Sequence, residues 1–246
     1  MSGLTLTHAR FQLIETSRTP IAIAGSAIWP AASMLAFVVP YAGDDPHFAT
    51  FATASMLTFA VMSTNLFQYG VGVADDRVQP WDPYVRTLAA GALPRFAGRL
   101  LAGLALMAVA LLPVVLISAF LTAATLSPFR FLLAVLTTAL ISVPFILMGL
   151  AIGYSLPPKA AVVVAQVLFL PLAFGGGLMT APNWAPGIVE TVGPYLPTGA
   201  AVRLMWTAVG EYPFSPTSVV SLITWTIALA GVALWAYRRD EGRRFS

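Results

Sequence analysis

Along the chain, long apolar runs alternate with short polar breaks. Six runs stand out, near 20–41, 49–71, 99–122, 130–153, 160–181 and 217–237. Each holds about 21–24 residues, which as a helix is roughly 32–36 Å, enough to cross a hydrocarbon core with some tilt. Pro30, Pro113, Pro144 and Pro171 fall inside four of these runs. In a soluble helix they would be breakers. In a membrane bundle, neighbouring helices satisfy the freed carbonyls, so kinks are predicted. The expected fold is an all-α polytopic membrane protein, with residues 1–246 forming one transmembrane domain.

Three segments outside the runs carry their own patterns. Over residues 4–18, Thr5, His8, Gln12, Glu15 and Thr16 fall in one polar arc at 100° per residue. Leu4, Leu6, Phe11, Leu13 and Ile14 fill the rest, which predicts an interfacial helix with Arg10 and Arg18 snorkelling to headgroups. In the loop over 72–98, Asp82–Pro83 reads as an N-cap and first helical position. A short helix over Pro83 to Ala90 should stop before Gly91 and Pro94. Preceded by Asp75, Asp76, Arg77 and Trp81, it has the form of a docking element. The segment 182–216 is too apolar for a solvated loop. It predicts two short re-entrant helices before the last span, with Trp184, Tyr195, Trp206 and Tyr212 suited to an interfacial belt.

Composition supports the same picture. Of 246 residues, 58% are hydrophobic and 9% charged, against roughly 25% charged in a soluble domain. Such a chain cannot build a charged shell, and it carries too much apolar surface to stay disordered. Cys is absent, which excludes a disulfide framework and a thiolate nucleophile. The placement of basic residues then sets an orientation. Arg10, Arg18, Arg77, Arg86, Arg95, Arg99, Lys159, Arg238, Arg239, Arg243 and Arg244 fall on one side of a six-span layout. Only Arg130 and Arg203 fall on the other. The positive-inside bias makes the first side cytoplasmic, with both termini inside. The net charge of +3 is therefore an orientation signal and not a nucleic-acid footprint. Twelve of thirteen basic residues are Arg, as in a GC-rich bacterial genome, and no cleavable signal is expected at the N-terminus.

Candidate chemistry is sparse. No G-x-x-x-x-G-K-[ST] phosphate loop occurs, and the single lysine, Lys159, follows Pro157–Pro158. If ATP is used, a separate chain hydrolyses it. Gly175–Gly176–Gly177 suits close helix packing or a kink. His8 and His47 fall on opposite sides, so they form no metal pair. Gly43 to His47 offers hard oxygens for a cation but reads more simply as a polar turn. No catalytic, cofactor-binding or metal-ligating residue is expected. No charged residue sits mid-span, which argues against proton coupling. Asn65, Gln68 and Gln166 are polar positions within the runs that could line a pathway or bond a neighbouring helix. Met62, Met148 and Met179 would make a soft apolar wall.

These features together resemble the membrane subunit of bacterial type-2 ABC exporters, the group of daunorubicin-type and multidrug efflux permeases and of polysaccharide or lipid exporters. That family carries an acid–Arg–acid motif after span two, then a coupling helix. Asp75–Asp76–Arg77 stands at the first place, and Tyr84–Val85–Arg86–Thr87–Leu88 with Leu93–Pro94–Arg95 at the second. Pro80–Trp81–Asp82–Pro83 replaces the family's Gly-Thr-Leu-Glu step. Pro194–Tyr195–Leu196–Pro197, followed by Arg203, resembles the family's stretch before span six. The resemblance implies an export subunit without ATPase motifs, in a bacterial plasma membrane. Two ABC ATPase subunits would carry ATP and Mg and dock on Asp75, Asp76, Arg77, Trp81, Asp82, Tyr84, Arg86 and Leu88. A second permease copy, identical or paralogous, would complete the pathway. Asn65, Gln68, Gln166 and Met179 would line it, and Trp184, Tyr195, Arg203 and Trp206 would form its external segment. The implied cargo is hydrophobic or amphipathic: a drug, antibiotic or lipid. The alternatives are a six-span membrane enzyme or scaffold, and a secondary transporter.

Overall fold

A computed structural model describes residues 2–17, 28–42, 44–80, 92–180, 182 and 185–244. Among them every regular element is helical. In chain order these are α1 (Ser2–Ser17), α2 (Ile28–Tyr41), α3 (Pro46–Asp76), α4 (Ala92–Leu121) and α5 (Pro128–Ser155). Then come α6 (Pro158–Gly175), α7 (Gly187–Val192), α8 (Pro197–Val209) and α9 (Pro216–Arg244). The expected helix over Pro83–Ala90 lies outside the described residues.

Among the described residues, four helices are long and apolar enough to cross a membrane: Ala97–Leu121, Pro128–Ser155, Pro158–Gly175 and Pro216–Glu241. The long helix α3 is not among them, although its 31 residues exceed the length of a span. The reason lies in its position. It is the central helix, packed against α4, α5, α6 and α8, so it faces protein. Ser55, Thr58, Ser63, Thr64 and Asn65 are all buried on it. A helix shielded from lipid can carry such residues, and they lower its hydropathy. Within α2, the backbone takes a π turn over Met34–Val38.

Several expected boundaries shift for local reasons. The helix α3 begins at Pro46 because the Asp45 carboxylate accepts from the backbone N–H of His47 at 2.9 Å and Phe48 at 3.2 Å. The acidic turn before it is thus a helix start. At its other end α3 runs on to Asp76, so Asp75 and Asp76 belong to its last turn and not to a loop. The fifth run was expected to extend to 181, but α6 stops at Gly175. Gly177 takes a φ of +77°, a left-handed backbone that glycine adopts freely, and the chain turns there.

Within a membrane, helix association brings little hydrophobic gain, so close packing must hold helices together. The pair α3–α5 shows how. A Cβ on Gly149 would lie 2.7 Å from the Asn65 carbonyl oxygen, and one on Gly153 would lie 2.5 Å from the Tyr69 carbonyl oxygen. These two glycines, four apart, let the two backbones touch. The helix α1 lies along α4 in a similar way: a Cβ on Gly98 would sit 2.7 Å from the His8 Cβ. Ala9 is buried there, while Leu4, Leu6 and Phe11 are exposed on its outer side.

Candidate functional site

A cavity with a volume of about 920 Å³ lies among α1, α2, α3, α4 and α6. Its middle is aromatic. Trp29 and Phe37 come from α2, Phe59 and Phe67 from α3, and Phe169 and Phe174 from α6. The Phe169 ring packs against Phe59 and Phe67, with centroid separations of 5.0 and 5.9 Å, which seams α3 to α6. Met179 closes the wall beyond α6. A polar stripe of Ser33, Ser63, Thr64, Gln68 and Gln166 crosses this apolar surface.

Among the polar positions singled out in the sequence, Gln68, Gln166 and Met179 line the cavity. Asn65 does not. It is fully buried, and its amide donates to the Val61 carbonyl at 2.9 Å and to the Met107 sulfur at 3.4 Å. It joins α3 to α4 behind the wall.

At the C-terminal end of α3 the acid–acid–Arg sequence splits in two directions. Asp75 and Asp76 line the mouth of the cavity, together with Gln12, Glu15 and Arg99. Arg99 forms an ion pair with Asp76 and so ties α4 to α3. Arg77 turns away from the cavity. It donates to the carbonyls of Gly153 at 2.6 Å and Leu156 at 3.2 Å at the end of α5, and it pairs with Asp240 on α9. One guanidinium therefore fastens three helix ends. Asp240 is 5% exposed, and sequence reasoning did not single it out. Its signal was the acid pair Asp240–Glu241 set between Arg238–Arg239 and Arg243–Arg244. Trp81, Asp82, Tyr84, Arg86 and Leu88 lie outside the described residues.

At the opposite end, two short helices do precede α9, and α8 is buried against α3, α5 and α9. The Trp206 indole donates to the Ser55 hydroxyl at 2.9 Å, and that hydroxyl donates to the Thr180 carbonyl at 3.0 Å. Thr198 donates to the Leu172 carbonyl at 2.7 Å. Arg203 is 8% exposed. It donates to the Gly199 carbonyl at 3.2 Å and the Glu190 carbonyl at 3.5 Å, with Gly193 pressed against its guanidinium. Tyr195 is exposed, but its carbonyl accepts from the Trp225 indole at 2.8 Å. Trp184 lies outside the described residues.

The arrangement is a drug-sized compartment with largely apolar walls, bordered by carboxylates where α1, α3 and α4 meet. Known ligand pockets span about 300–1,000 Å³, so the volume suits one small molecule. No protein-family model matches the chain. Over 187 residues the chain is 24% identical to the "Putative transport permease YvfS" of Bacillus subtilis (strain 168), a match that covers 76% of each protein. Four membrane-spanning-grade helices among the described residues, with this similarity to a transport permease, support a membrane subunit of a transporter.

Proposed function

We propose that this chain is the permease subunit of an ABC exporter that moves a hydrophobic or amphipathic cargo outward. The observation that carries this reading is the cavity of about 920 Å³, with its aromatic walls between α2, α3 and α6. Phe37 and Phe174 line it and are still 62% and 59% exposed. A second permease copy, identical or paralogous, would cover these faces and close the pathway between the two subunits. The layout has six spans, with α2 and α3 joining the four most apolar helices and both termini in the cytoplasm. On this orientation the carboxylate end of the cavity faces the cytoplasm and the α8 end faces outward. That helix would be re-entrant at the outer leaflet, because α8 is almost wholly buried.

The sequence has no phosphate-binding loop, so the energy comes from separate ATPase subunits. They would dock on the segment around 75–95, with the Pro83–Ala90 helix as the contact. The fastening of Arg77 to α5 and α9 supports this, because a push on the segment after Arg77 would reach three helices at once. The named relative supports the transport half of the reading. Co-expression with an ATPase carrying a phosphate loop, followed by reconstitution, tests it. Vesicles holding both chains should extrude a hydrophobic fluorescent dye when ATP is added. Vesicles with Arg86→Glu plus Leu88→Asp should lose both ATPase co-purification and dye movement. ATP-independent dye movement by the permease alone would refute the reading.

A further inference from the structure

We propose that the cavity selects lipophilic cations over anions of the same shape, and that Asp75 sets the preference. The proposal rests on the exporter reading and narrows its cargo class. Among the described residues, the charged side chains on the cavity are Glu15, Asp75, Asp76 and Arg99. Arg99 is already paired with Asp76. Asp75 is exposed at the mouth and has no ion-pair partner among the described residues.

Two further features add to this charge. Asp75 and Asp76 occupy the last turn of α3, where the helix dipole is also negative and acidic side chains are disfavoured. The charge of Asp75 therefore adds to that of the helix carbonyls at this end of the cavity. A conflict between local preference and position is typical of a functional site. The second feature is the wall. Thr64 is 2% exposed and lines the cavity, and its hydroxyl has no hydrogen-bond partner among the described residues. The same cavity is lined by Phe59, Phe67, Phe169 and Trp29. Aromatic faces attract cations through their quadrupole, and weakly solvated surroundings strengthen that attraction.

A ligand with aromatic or alkyl substituents around a fixed positive charge complements both the rings and the carboxylate. Its apolar parts contact the rings, and its charge lies in the field of Asp75. An anion of equal size would meet the same walls but be repelled at the mouth.

Tetraphenylphosphonium and tetraphenylborate have the same shape and opposite charge, so they isolate the effect. Binding to the purified full chain in zwitterionic nanodiscs is measured, with empty discs subtracted. The phosphonium should bind about tenfold more tightly than the borate, as expected for one partly solvated charge contact. The ratio should shrink toward one in Asp75→Asn, persist in Asp75→Glu, and fall as salt is raised in the unmodified chain. That salt series keeps the test open should Asp75→Asn fail to fold. Equal binding of both ions by the unmodified chain overturns the cation preference and leaves the cavity reading standing. Binding of neither ion overturns the cavity reading itself. A preference unchanged in folded Asp75→Asn overturns the role of Asp75.

Discussion

The two ends of the helix bundle are held together by different physics. At the α8 end the links are hydrogen bonds to hydroxyl and backbone carbonyl oxygens. Trp206 bonds to Ser55, Thr198 to Leu172, and Arg203 spends its guanidinium on carbonyls of its own neighbourhood. At the C-terminal end of α3, besides the bonds of Arg77 to two α5 carbonyls, the links include ion pairs between different helices, Asp76 with Arg99 and Arg77 with Asp240. Hydrogen bonds need a fixed partner at a fixed distance. Ion pairs act over a longer range and can be exchanged for other charges. The first end is held by short-range hydrogen bonds, and the second adds longer-range charge pairing.

The strongest test of this contrast is at the α8 end. Gly199 is so close to Gly193 that a Cβ there would lie 2.0 Å from its carbonyl oxygen. Gly199→Val should therefore cost about 4 kcal/mol or more, because backbone must move against backbone. A loss of monodisperse protein in size-exclusion chromatography would show it. Normal behaviour would mean that this end is looser than described.

A somewhat smaller effect is expected for the Arg77–Asp240 pair. Breaking a fully buried pair costs about 3–5 kcal/mol. The side chains are 18% and 4% exposed, so Arg77→Leu should sit near the lower limit, about 3 kcal/mol. The double variant Arg77→Leu with Asp240→Leu should recover part of that loss, because no uncompensated charge stays buried. Denaturant titration in micelles measures both, and a double variant no better than the single would show that the charge is not the cause.

The smallest effect belongs to Arg99 and Asp76, whose side chains are 23% and 44% exposed. A pair this accessible to solvent contributes only about 0–1 kcal/mol. Arg99→Gln should thus leave stability nearly unchanged while freeing a second carboxylate at the cavity mouth, and phosphonium binding should tighten. A large loss of stability with no change in binding would reverse the assignment of this end.

The helical membrane character was legible in the sequence because it depends on composition summed over long windows. The runs at 99–122, 130–153 and 217–237 overlap α4, α5 and α9 closely. The run at 49–71 overlaps α3, but its ends did not show, since they depend on the Asp45 cap and on two acids placed against local preference. The α6 end was missed because a single left-handed glycine decides it. The cavity was only partly legible. Gln68 and Gln166 stood out as polar positions in apolar runs, and both line it. Asn65 stood out for the same reason but bonds within the bundle instead.

What the sequence by itself determined is the solvent of this chain and the type of its elements. Hydropathy and helical periodicity are local sums, and they survive any arrangement of the helices. What only the tertiary structure decided is which face of each helix meets which neighbour. Gly149 and Gly153 matter because Asn65 and Tyr69 lie opposite them, 84 residues away in each case. Arg77 finds Asp240 across 163 residues of chain. Both contacts depend on helix rotation and register, which are set by packing at distances of a few ångströms and leave almost no trace in local composition.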